Sequence, residues 1–69
     1  MDRIHYHITG LINNEEKTKL KNALIKLDGI QLIAIDVDRS TVEVGFKETL
    51  NPISIRDCIE KTGYQIVDH

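Results

Sequence analysis

Large apolar and polar residues alternate through Ile4-His5-Tyr6-His7-Ile8. A period of two predicts a strand with one buried face, here Ile4, Tyr6 and Ile8. Thr9-Gly10 ends it. Asn13-Asn14-Glu15-Glu16 reads as a helix start. Asn13 as N-cap with Glu16 three residues on is an Asn version of the capping box, and carboxylates in a first turn suit the positive end of the helix dipole. Leu20, Ala23, Leu24 and Leu27 then recur at helical spacing, with Lys17, Lys19, Lys21 and Lys26 mainly outside that stripe. Asp28-Gly29 ends the helix, Gly29 being free to take a left-handed C′ conformation.

A second strand is predicted over 30–37, with Ile33, Ile35 and Val37 on one face and Leu32, Ala34 and Asp36 on the other. Asp38-Arg39-Ser40 is a polar turn. Thr41 to Phe46 alternates again, so the second and third strands form a hairpin with Val42, Val44 and Phe46 inward. Asn51 as N-cap and Pro52 at N1 open a second helix, with Leu50 and Ile55 placed as a hydrophobic staple. Ile55, Cys58, Ile59 and Thr62 form its buried stripe, Gly63 ends it, and Gln65-Ile66-Val67 is a short closing strand. The order is βαββαβ. Right-handed crossovers then put both helices on one face of a four-stranded antiparallel sheet of order 4-1-3-2, an α+β ferredoxin-like sandwich whose other face is open to solvent.

Length and composition narrow the function. A chain of 69 residues is one domain, 1–69, with a small core. Hydrophobic residues at 41% and charged residues at 29% are those of a globular protein. The formal net charge of −2 argues against a nucleic-acid binder that works by neutralising phosphates. A single cysteine excludes an intrachain disulfide framework and a zinc site built from paired thiolates. No apolar run is long enough to span a bilayer, and the first five residues do not read as a signal sequence, so a soluble cytoplasmic protein without membrane contact is expected. The chain is too short to enclose a deep pocket beside its core, so no enzyme is expected.

Tyr6-His7-Ile8-Thr9-Gly10-Leu11, then Leu20, Ala23-Leu24, Leu27-Asp28-Gly29-Ile30, and finally Ile59-Glu60-Lys61-Thr62-Gly63-Tyr64 resemble the heavy-metal-associated domain. This is the fold of copper chaperones and of the amino-terminal modules of metal-transporting ATPases, and the resemblance covers nearly the whole chain. The family's metal loop is a Gly-Met-x-Cys-x-x-Cys segment before the first helix. Here that segment reads Gly10-Leu11-Ile12-Asn13-Asn14-Glu15-Glu16, with Leu11 at the methionine position and Asn13 and Glu16 at the cysteine positions. Copper(I) needs soft thiolates, and amide and carboxylate oxygens are hard ligands. The resemblance therefore carries over the fold, the exposed loop and docking to a similar protein domain, but no tight copper(I) site. Tyr64 matches the family residue packed beside the metal loop, which brings its hydroxyl toward Asn13 or Glu16. The resulting expectation is a non-catalytic interaction or regulatory module in metal handling, with no cofactor and with a metal-transporting ATPase or a similar domain as partner.

Other residues carry alternatives. As oxygen donors Asn13 to Glu16 are too few for a calcium cage, and the caps explain each of them. Cys58 in an apolar stripe reads as a small buried hydrophobe. His5 and His7 leave one strand face together. On the open side His69 of the antiparallel last strand and Glu43 of the third join them, giving a weak nitrogen site for zinc, nickel or copper(II). Lys17, Lys19 and Lys21 form a basic docking surface or a solvated helix face. The same sandwich hosts acylphosphatases, but their phosphate-cradling loop with its arginine is not matched after the first strand.

Overall fold

The computed structural model describes residues 2–10 and 13–67. Leu11 and His69, both named above, lie outside the described residues. The elements run β1 (Asp2–Thr9), α1 (Asn14–Ile25), β2 (Ile30–Asp36), β3 (Thr41–Phe46), α2 (Pro52–Lys61) and β4 (Gln65–Val67). The sheet order is β2-β3-β1-β4 and every pairing is antiparallel. This is the βαββαβ ferredoxin-like sandwich with strand order 4-1-3-2.

The alternating strands bury the faces their parity assigned. Ile4 pairs with Val44 and Tyr6 with Val42, so these residues share the face that meets Leu20 and Leu24 of α1 and Ile55 and Ile59 of α2 in one buried cluster. Phe46, Ile8 and Tyr64 complete that core. The other face carries Arg3, His5 and His7 of β1 opposite Gly45, Glu43 and Thr41 of β3. Among the described residues no helix is long and apolar enough to cross a membrane.

Strand β2 departs from plain alternation. Ile30 pairs with Phe46, and Leu32 already pairs with Gly45, so the register shifts between them. This bulge at Gln31 changes the phase. Ile30 joins Ile33 and Ile35 on the core side, although strict alternation would put it on the opposite face. Without the extra residue either Ile30 or the Ile33/Ile35 pair would be lost to solvent.

Helix ends follow local chemistry. Asn13 Oδ1 accepts from the Glu16 N–H at 2.9 Å, and Asn51 Oδ1 accepts from the Ile53 N–H at 2.9 Å. Helix α2 closes in a Schellman arrangement. The Tyr64 N–H donates to the Ile59 carbonyl and the Gly63 N–H to the Glu60 carbonyl, with Gly63 at φ +112°. Helix α1 ends earlier than its sequence suggests, at Ile25 with Lys26 as C-cap. Gly29 does take a positive φ of +104°, but in the turn that enters β2 and not at the helix C′ position. There its backbone passes close to Leu50, whose Cβ lies 3.2 Å from where a Gly29 Cβ would stand. Half-buried Leu50 thus packs over this turn as well as onto the core.

Candidate functional site

The chain arrives at α1 through Gly10, whose φ of +92° an L side chain rarely adopts. A Cβ at Gly10 would lie 3.1 Å from Cδ1 of Tyr64, so the absence of a side chain also lets the aromatic ring approach the backbone. Tyr64 is 4% exposed and enters from the far end of the sequence, held by the Schellman turn after α2.

The tyrosine hydroxyl donates to the Glu16 carboxylate, with the Glu16 carbonyl oxygen 3.1 Å away. The capping box is therefore only half made. Asn13 caps the Glu16 N–H, and the Glu16 side chain, placed by pattern for the Asn13 N–H, is engaged by Tyr64 instead. Burial pushes the Tyr64 phenol up to about 12, and the adjacent Glu16 carboxylate adds to the rise by accepting its proton in a hydrogen bond and by repelling the phenolate. On the outer side of the ring the Lys19 ammonium lies 6.0 Å from its centroid, within cation–π range. The first turn of α1 is thus a small assembly of Gly10, Asn13, Glu16, Lys19 and Tyr64.

Its donor set is all oxygen. The Asn13 amide oxygen already accepts a backbone proton and the Glu16 carboxylate already accepts the phenol. Such hard, satisfied oxygens have little to offer a soft ion.

The three lysines do not form one surface. Lys17 and Lys21, four residues apart on α1, border grooves against the edge strand β2, Lys17 beside Asp36 and Asp38 and Lys21 beside Ile25 and Ile30. Lys19 lies on the other side of the helix, over Tyr64. Cys58 is half-buried against the core, and burial is the main cause that pushes its thiol up.

On the helix-free face His5 stands directly opposite Glu43, and His7 is paired with Thr41 and Val67. The two imidazole rings are 5.7 Å apart, edge to face at 79°. Arg3 reaches Glu43 at 3.9 Å. Among the described residues no group of three His, Cys, Asp or Glu side chains is placed to hold a metal ion.

No protein-family model matches the sequence, and neither does any curated protein. Solved structures do match the fold. The CopZ metallochaperone superposes with a TM-score of 0.90 at 21% identity, over 96% of this chain and 100% of that one. The N-terminal domain of PacS from Synechocystis PCC6803 gives 0.84 at 17% identity, over 99% of this chain and 100% of that one. A copper binding domain from HMA7, a P-type ATPase, gives 0.86 at 20% identity, over 99% and 96%. The chain therefore has the heavy-metal-associated fold.

Proposed function

We propose that this chain is a non-catalytic docking module that keeps the metallochaperone fold and works without a thiolate site. The observation that supports this reading is the first turn of α1, where side chains of the chain itself close the helix start. Asn13 caps it, and Tyr64 holds the Glu16 carboxylate from 48 residues away. The oxygens found there do not fit copper(I), which selects thiolate or thioether sulfur, and the chain's single cysteine, Cys58, is on α2.

The partner we infer is a domain of the same fold on a metal-transporting ATPase. That inference draws on the similarity to domains described as parts of PacS and of a P-type ATPase. Lys19, over Tyr64 beside that first turn, would favour an acidic group on it. The place of action is the cytoplasm.

Competition for copper(I) against a chromophoric chelator tests the first part. Copper stays with the chelator; retention of one equivalent by the protein overturns the reading. Amide shift mapping against an ATPase amino-terminal domain tests the second. Shifts gather around Asn13 to Lys21, and an unchanged spectrum removes the docking role.

A further inference from the structure

We propose that His5 and His7 form a two-nitrogen chelate for a borderline divalent cation, of the copper(II), nickel(II) or zinc(II) class, on the helix-free face of the sheet. The two residues are i and i+2 on β1, so their side chains leave the same face. β1 is an inner strand, bounded by β3 on one side and β4 on the other. His7 is registered on both sides, to Thr41 and Val67, and His5 to Glu43. The backbone thus fixes the spacing of the pair before any ion binds.

That spacing fits a shared ion. Metal–nitrogen bonds of about 2.0–2.1 Å at tetrahedral to wider angles put two imidazole centres about 5–6 Å apart. The rings of His5 and His7 are 5.7 Å apart already. Chelation therefore asks for ring rotation, with little change of backbone.

His5, Asp36 and Glu43 line one shallow open groove of about 230 Å³, where each carboxylate is balanced by an arginine, Glu43 by Arg3 and Asp36 by Arg39, so the imidazoles and not the local charge must supply the affinity. Glu43 directly opposite His5 is also positioned to take the second ring N–H, the outer-sphere role that orients metal-bound imidazoles. Arg3 keeps Glu43 on this face. With two nitrogens from the described residues, water completes the coordination, so binding is reversible and not part of the folding energy. Neutral imidazole nitrogen selects against hard magnesium and calcium, and copper(II) is the tightest of the candidates. The site is on the opposite face of the sheet from Tyr64 and Glu16, so it stands or falls separately from the docking role.

Calorimetric titration of the full chain with copper(II) and nickel(II), with nitrogen hyperfine structure in the copper(II) spectrum, tests the proposal. One equivalent binds with coordinated nitrogen. His5→Ala and His7→Ala each weaken binding by at least about tenfold, the loss common even for outer-sphere partners, while thermal melting shows each variant folded. Glu43→Gln weakens binding less. Absence of binding overturns the proposal. So does wild-type affinity in the His5→Ala/His7→Ala double variant.

Discussion

Tyr64 ties the two helices together, because its one hydroxyl closes the start of α1 from the end of α2. A hydrogen bond to a charged partner contributes about 1.5–3 kcal/mol, so Tyr64→Phe lowers unfolding free energy by that order, readable in urea. The phenol also sets an alkaline limit. Its proton is held up to about pH 12 in the folded chain against an ordinary value of 10. The unfolded chain thus releases the proton first, and stability falls as pH rises between about 10 and 12. In Tyr6→Phe, which leaves Tyr64 as the sole phenol, ultraviolet titration finds the midpoint near 12. Adding Glu16→Gln moves it down. The pattern Asn13-x-x-Glu16 announced a capped helix start, but sequence spacing alone directs Glu16 to its own N-cap. A partner 48 residues away is invisible to local pattern, and only the resemblance of Gly63-Tyr64 to a known domain pointed there.

Periodicity identified all six elements, because each strand and helix buries one face and a small core tolerates few exceptions. The β2 bulge escaped it. A single phase shift leaves no residue signature beyond Ile30 being out of step with Ile33 and Ile35. The early end of α1 escaped it too, since Leu27 continues the helical spacing while packing on the core from a turn. The β2–β3 hairpin carries a correctable strain. Ser40 sits at φ +55°, a left-handed conformation that costs a side-chain-bearing residue about 1–2 kcal/mol. Part of the relief offered by glycine is offset by its larger loss of chain entropy. Ser40→Gly therefore stabilises by up to about 1 kcal/mol, visible as a rise in Tm. The Ile8 N–H bond to the Ser40 carbonyl uses backbone only and survives the change.

Among the described residues, the core rests on nine buried side chains from both helices, strands β1 and β3 and the turn before β4. Leu24 is fully buried among them. Truncating it costs about 2–5 kcal/mol, against a total of about 5–15 kcal/mol for a whole domain. Leu24→Ala therefore loses a large share of its stability, and a chemical denaturation curve shifts to much lower midpoint. The open face of the sheet has no such reserve, since Arg3, His5 and Glu43 are placed there by register and not by packing. Parity alone put His5 and His7 on that face, but which residue of β3 stands opposite His5 depends on the β1–β3 register, which the sequence does not spell out.

A helix start fastened by an amide and a phenol offers no group that copper(I) or a mild oxidant attacks. Neither scarcity nor surplus of copper, and no mild oxidant, has a sulfur there to act on.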